Sequence, residues 1–260
     1  LKPHLPFIAP RRYWDLYDPE KLAIADNPAP PRDAPAPAMA IPMDELRDTY
    51  PKDVRVIPAA SPAAEDQQPY DIPRRGPLTR EQQVQLRHGY YACVSFVDAQ
   101  IGRLVAELER LDLAQETIIV ILGDHGYSLG EHGLWGKLTN FEDATRVPLI
   151  VCAPGQPGGG HRTDALVELL DVYPTLCELA GLPLPTHLEG RSAAPLWSDP
   201  GQSWKPAAFS QYPRPGLMGY SMRTDRHRFT RWQSVRNPDE VAAFELYDHR
   251  NDPAENMNLA

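Results

Sequence analysis

A chain of 260 residues, 42% hydrophobic and 23% charged, is long enough for one large α/β domain with a smaller appendage and too apolar to be disordered throughout. A formal net charge of −9 argues against a nucleic-acid-binding surface, while leaving room for an anionic substrate held by locally placed Lys and Arg. No apolar run approaches the roughly 18 residues that a membrane span needs.

The 29 prolines lie well above the usual share of about 5% and imply long loops. In residues 1–20, Pro3, Pro6 and Pro10 forbid a regular helix, so this stretch reads as an extended loop packing Phe7, Tyr13, Trp14 and Tyr17 onto something else. Lys2 and His4 sit on that stiffened track. Residues 21–78 carry a proline about every five positions and read as a lid, a substrate-side insertion or a surface excursion, with short helical turns around Met43–Asp48.

From Thr79 the texture changes. Thr79 and Gln82 have the spacing of a capping box, and Tyr90, Cys93, Val97, Ile101, Leu104 and Leu108 recur at three- and four-residue steps. An amphipathic helix over 80–110 is expected, with Asp98 and Arg103 in ordinary surface pairing. The apolar run 118–122, closed by Gly123, reads as a buried strand, and a helix followed by such a strand is half of a βαβ unit, so a parallel sheet is expected. Residues 147–153 form a second buried strand and 165–170 a third apolar run. Asp171 then suits the N-cap of a short helix that Gly181 stops. From 209 onwards the pattern alternates as in a small antiparallel sheet, whose arginines, Arg223, Arg226, Arg228 and Arg231, read as a solvated face. Cys93, Cys152 and Cys177 each lie in an apolar segment without metal-ligand spacing, so buried free thiols are expected.

The stretch from Thr117 to Pro148 gathers the candidate chemistry. Asp124 and His125 stand just beyond the strand at 118–122, where ligands collect in open α/β sheets, and His132 and Lys137 follow in the next loop. A carboxylate beside an imidazole can bind a divalent cation, and a nearby ammonium can hold an anion. The same pattern also suits an ordinary strand-to-loop turn whose Asp caps the following segment.

Several stretches in order, LKPHLPF, YYACVSFVDAQIGRL, GDHGYSLGEHGLWGK, VPLIV, DVYPTLCELAGL, SQYPRP, MGYSMRT and ELYDHRNDPAENMNLA, resemble type I sulfatases of the alkaline-phosphatase superfamily, and look closest to iduronate-2-sulfatase-like members. The resemblance covers essentially the whole chain. It implies an α/β fold with a partial alkaline-phosphatase-like parallel-sheet core over 1–208, including the excursion 21–78, and an antiparallel subdomain over 209–260. It implies a sulfuric ester hydrolase acting on sulfated sugars, as in glycosaminoglycan or sulfated polysaccharide degradation. A phosphoester or phosphonate hydrolase of the same superfamily, or a fragment inactive alone, is the alternative.

By the same resemblance, Asp124 and His125 match two ligands of a divalent cation, calcium or else magnesium. Lys137 matches a lysine at the sulfate oxygens, and His4 a histidine that hydrogen-bonds or protonates the leaving group. His132 falls to a pocket or supporting role, and Tyr127 to the sugar side. The family's nucleophile, a formylglycine made in a Cys/Ser-x-Pro-x-Arg motif, has no match here: Cys93, Cys152 and Cys177 are followed by other sequences. The expectation is therefore a C-terminal part of a larger sulfatase, partnered by the upstream part of the same protein, with a sulfated carbohydrate as substrate and an exported, periplasmic or lysosomal location.

Overall fold

Two helices, α1 (Arg11–Trp14) and α2 (Arg80–Arg110), frame the first part of the chain in a computed structural model that describes residues 2–39, 46, 77–156 and 159–260. The capping box forms as its spacing predicts: the Gln82 amide donates to Thr79 Oγ1 at 3.3 Å and the Thr79 amide to Gln82 Oε1 at 2.8 Å. The residues that α2 buries, Leu86, Arg87, Gly89, Ala92 and Cys93, all lie in its first half, and Leu104 further along is 68% exposed. The N-terminal segment packs as expected but is not wholly extended. Pro10 stands at the N-cap of α1, where a missing N–H costs nothing, and one helical turn follows. The turns expected around Met43–Asp48 lie outside the described residues, apart from a fully buried Leu46.

One compact unit comprises Leu1–Pro30, Ala40–Leu111 and Tyr127–Lys137; the other comprises Pro31–Met39, Asp112–Gly126 and Leu138–Ala260. This grouping differs from a boundary at 208. In the first unit, fully buried Phe7 meets Tyr90 and Tyr127 edge-on, with ring centroids 5.5 and 5.9 Å away. Burying such a ring is worth about 1.5–3 kcal/mol, so Phe7 anchors the proline track at its middle.

The strands that follow α2 are β1 (Ile119–Leu122), β2 (Ser128–Leu129), β3 (Trp135–Gly136) and β4 (Leu149–Cys152). β2 and β3 form a short hairpin in the first unit. β1 and β4, in the second, pair antiparallel with Val120 opposite Val151, where the helix–strand succession predicts a parallel neighbour. Periodicity specifies a strand but not the direction of its partner. The pair is also less buried than expected. Ile150 is 58% exposed, and Cys152 shares its face and is exposed, because a two-stranded sheet covers little and nothing among the described residues lies over that face.

After the one-turn helix α3 (Glu142–Thr145), the run 165–168 is irregular and leads through a turn at Leu169–Asp171 into α4 (Val172–Leu179). Asp171 precedes α4 but caps nothing there with its side chain. Its buried carboxylate instead accepts from the Glu168 and Arg191 amides at 2.9 and 2.8 Å and pairs with Lys205 at 2.7 Å. Gly181, with φ +68, ends α4 as its sequence position predicts. A last short helix, α5 (Pro195–Ser198), leads to the antiparallel meander β5 (Ala208–Arg214), β6 (Leu217–Arg223), β7 (His227–Ser234) and β8 (Val241–Asp248).

The meander's arginines are not a solvated face. Along β7, Arg228, Thr230 and Trp232 alternate inward and are buried. Arg228 Nε donates to Glu255 Oε1 at 2.6 Å and its Nη2 to Glu142, while Arg223 Nε reaches Glu142 at 3.2 Å. Arg226 forks onto Asp248 at 2.9 and 2.7 Å. Asn140 Nδ2 adds a bond to the Gly219 carbonyl at 3.2 Å. The sheet is thus tied to residues 138–145, which places it in the same unit as β1 and β4. None of the helices among the described residues is long and apolar enough to cross a membrane.

Removing Arg228 takes the guanidinium from buried Glu255, which keeps only His249, and one of the two close guanidiniums from Glu142, so Arg228→Met is expected to cost about 3–5 kcal/mol in urea unfolding, and a loss under about 1 kcal/mol would contradict the network. Burial raises the Glu255 carboxyl, but Arg228 and His249 outweigh it and hold the group below its usual range. Its contribution is therefore complete above about pH 4.3 and fades as pH falls through the lower folded value. Thiol titration of the native chain should show Cys152 reacting first. Cys93, whose thiol burial pushes up to about 11, and buried Cys177 should react only on unfolding.

Candidate functional site

The first unit builds its site from α2 outwards. Arg87 is buried within the apolar face of α2, and its guanidinium is fully engaged: Nε donates to the Leu129 carbonyl and Nη1 to the Ala23 carbonyl, both at 2.9 Å, and Nη2 pairs with Glu131. Glu131 turns back to accept from the Leu129 amide at 2.5 Å. These bonds fix the β2–β3 hairpin, and Lys137 directly follows its second strand. From the other side, Phe7 fixes the proline track that carries His4. The two ends meet: Lys137 Nζ lies 3.0 Å from His4 Nε2, across 133 positions of sequence.

The geometry sets the imidazole's tautomer. An ammonium can only donate, so Nε2 accepts. His4 Nδ1 lies 2.8 Å from the Leu5 carbonyl and donates to it, which carries the ring's proton on Nδ1. An ammonium and an imidazole nitrogen facing each other make a place where a small oxyanion can be held.

Two further candidates lie in the same unit but deeper. Tyr127 belongs to the aromatic cluster with Phe7 and Tyr90, where burial also raises the Tyr90 phenol. His132 is buried at 2% exposure in the left-handed backbone region, φ 54 and ψ 18, with its amide donating to the Asn27 carbonyl at 2.7 Å. Tyr127 thus packs at the entry to β2, and the backbone of His132 is held in the turn between β2 and β3.

The second unit holds the other pair. Asp124 and His125 follow β1 directly. The Asp124 carboxylate is 83% exposed, and one of its oxygens accepts from the His125 amide at 3.1 Å. His125 Nδ1 lies 2.9 Å from the Gly126 carbonyl and donates to it, which turns the lone pair of Nε2 outward, 3.8 Å from Asp124 Oδ1. A metal-binding histidine is commonly oriented in this way by a backbone carbonyl on its other nitrogen. The two donors therefore fit a divalent cation as part of its donor set, although calcium takes about 6–8 oxygens and needs more than one carboxylate and one imidazole.

Gly126 makes the turn feasible. A Cβ there would stand 1.9 Å from the Asp143 carbonyl oxygen, and the Gly126 amide donates to the Ala144 carbonyl at 2.8 Å. A second acidic cluster, Glu142, His249 and Glu255, has donor atoms within 4.8 Å of one another. Arg223 and Arg228 already occupy its carboxylates, so a cation there would meet guanidinium groups, and it is better described as a closed ion-pair network.

Sequence reasoning nominates His4, Lys137, Asp124 and His125, of which the structure brings His4 to Lys137 and Asp124 to His125, and it passes over Arg87 and Glu131. The available signal is Arg87 itself, a charge next to Leu86 and three residues before Tyr90 on the stripe that α2 buries.

With that geometry in place, comparison with known proteins is informative. A family model described as Sulfatase matches residues 2–182, and one described as N-sulphoglucosamine sulphohydrolase, C-terminal, matches residues 130–260. Iduronate 2-sulfatase of Homo sapiens is 32% identical over 325 residues, covering 99% of this chain and 56% of that protein. Among solved structures, the chain is similar to one described in complex with its substrate D-glucosamine-2-N,6-O-disulfate, at 29% identity and TM-score 0.63 over 70% of this chain and 38% of the other. It is also similar to a phosphonate monoester hydrolase from Silicibacter pomeroyi, at 28% identity and TM-score 0.70 over 100% of this chain and 50% of the other. The chain spans about half the length of the curated relatives it matches.

Gly126→Ala is expected to lower the urea midpoint by the equivalent of about 1–3 kcal/mol, because backbone must move to admit the methyl group. An unchanged midpoint would show that Asp143 yields without cost.

Proposed function

Because this chain belongs to the sulfatase family, with its alkaline-phosphatase-like α/β fold, we propose that it supplies part of the active centre of a sulfuric ester hydrolase acting on sulfated sugars. The observation that carries this is the meeting of Lys137 and His4, two residues that only the folded chain brings within 3.0 Å. Cleaving a sulfate ester moves charge onto the sulfate oxygens and onto the departing sugar oxygen. Lys137 donates hydrogen bonds to the former, and His4 stands beside it with Nε2, which can donate to the latter only when the ring carries a proton on both nitrogens.

In its own unit, Asp124 offers a carboxylate oxygen and His125 its Nε2 to a divalent cation, calcium or magnesium. Such an ion, when bound, would supply charge stabilisation to an oxyanion. Tyr127 and His132 contribute by holding the loop that ends in Lys137. The attacking group is assigned to sequence other than these 260 residues, which contain no Cys/Ser-x-Pro-x-Arg motif. The upstream part of the same protein is its proposed source. An exported, periplasmic or lysosomal location accords with this reading.

A second reading, hydrolysis of phosphonate or phosphate esters, is favoured by the likeness to a phosphonate monoester hydrolase. The two separate by substrate. The polypeptide that includes this chain together with its nucleophile segment should hydrolyse 4-nitrophenyl sulfate faster than phenyl methylphosphonate. Lys137→Ala and Asp124→Ala should each lower that rate about 10²–10³-fold, the usual effect of losing one preorganised charge contact. A phosphonate preference, or full sulfatase activity without Lys137, would overturn the assignment.

A further inference from the structure

Two cavities of the second unit are built from residues that the hydrolytic reading does not use, and they share one wall. The first, of about 590 Å³, is lined by Trp204, Leu166 and Pro200 together with Arg162, Gln202 and Asp164; Lys205 and Asp225 complete its charges. The second, of about 360 Å³, is lined by Arg146, Arg223, Arg226 and Arg250 against Glu142 and Asp225. Asp225 belongs to both linings, so the two cavities adjoin there along one surface, called here the groove.

Their chemistries differ. In the first cavity the formal charges cancel, Arg162 and Lys205 against Asp164 and Asp225, and an indole ring stands beside groups that both donate and accept hydrogen bonds. Arg191 lies over the Trp204 ring, 4.3 Å from its centroid, and holds it in place. The indole N–H is shielded from solvent and finds no acceptor among the described residues. An aromatic face with a mixed polar rim matches a pyranose ring, whose hydroxyls serve as both donors and acceptors and whose C–H face is apolar. It does not match a lone ion.

The second cavity carries four arginines against two carboxylates in a chain whose net charge is −9. Arg223 is held by Glu142 and Arg226 by Asp248, which makes them fixed walls. Arg146 has a side chain 79% exposed and only a 4.0 Å approach to Glu142, and Arg250 forms no ion pair among the described residues. These two guanidinium groups are the ones free to take a sulfate or carboxylate group, for which their forked donors are suited.

We propose that this groove binds an acidic oligosaccharide, with one sugar ring on Trp204 and an anionic substituent of a neighbouring unit at Arg146 and Arg250. The inference concerns binding, and it stands whether or not the chain hydrolyses sulfate esters. Isothermal titration of a heparin-derived tetrasaccharide, and separately of a hyaluronan tetrasaccharide, into the 260-residue chain tests it. Saturable binding of either ligand is expected, weakened by added salt. Trp204→Ala and the double variant Arg146→Gln/Arg250→Gln should each weaken it at least tenfold. Trp204→Phe, which keeps a ring, should stay within about threefold of the wild type. If Trp204→Ala perturbs folding, the two exposed arginines and the Phe variant decide the outcome. Absence of binding by both tetrasaccharides at millimolar concentration, or binding untouched in the groove variants, would overturn the proposal.

Discussion

A buried guanidinium governs the first unit. Arg87 enters the apolar face of α2 with no water to solvate it, so every donor must find a protein acceptor. It finds the carbonyls of Leu129 and Ala23 and the carboxylate of Glu131. Satisfying one side chain thereby joins three separate stretches of chain. The hairpin cannot shift without unpairing a buried charge, so Lys137 inherits its position from a residue outside the pair that it forms with His4. Phe7 does the complementary work through packing and carries no polar cost.

The second unit repeats the logic with a different partner set. Arg228 lies inside the meander and draws Glu142 and Glu255 to it, and without the arginine the buried Glu255 would keep only His249 as a partner. The same region supplies the Asp143 carbonyl that excludes any side chain at Gly126. The turn presenting Asp124 and His125 is thus shaped by sterics at its end, while its charged groups stay open to solvent.

Much of this is legible in the sequence, and the failures share a cause. The capping box, the span of α2, the glycine stop after Leu179 and the antiparallel character of the sheet after 208 follow from local chemistry, and local chemistry is what sequence patterns record. The direction of the β1–β4 pairing, the exposure of Ile150 and Cys152, and the inward turn of Arg228 depend on what lies across from each residue. Arg228 is instructive: alternation with Thr230 and Trp232 already places it on the inner face, but charge type suggests solvent, and the distant Glu255 decides between them. The candidate residues themselves were found through ordered motif resemblance. Spacing alone leaves Asp124 and His125 equally suited to a metal or to a simple turn.

The contact between Lys137 and His4 has one more consequence. The two partners stand 133 positions apart, and each is held by a different support, His4 through the packing of Phe7 and Lys137 through the bonds of Arg87 to the hairpin. Loosening either support would disperse the pair while leaving both side chains chemically intact, so the meeting is a property of the fold and not of either residue.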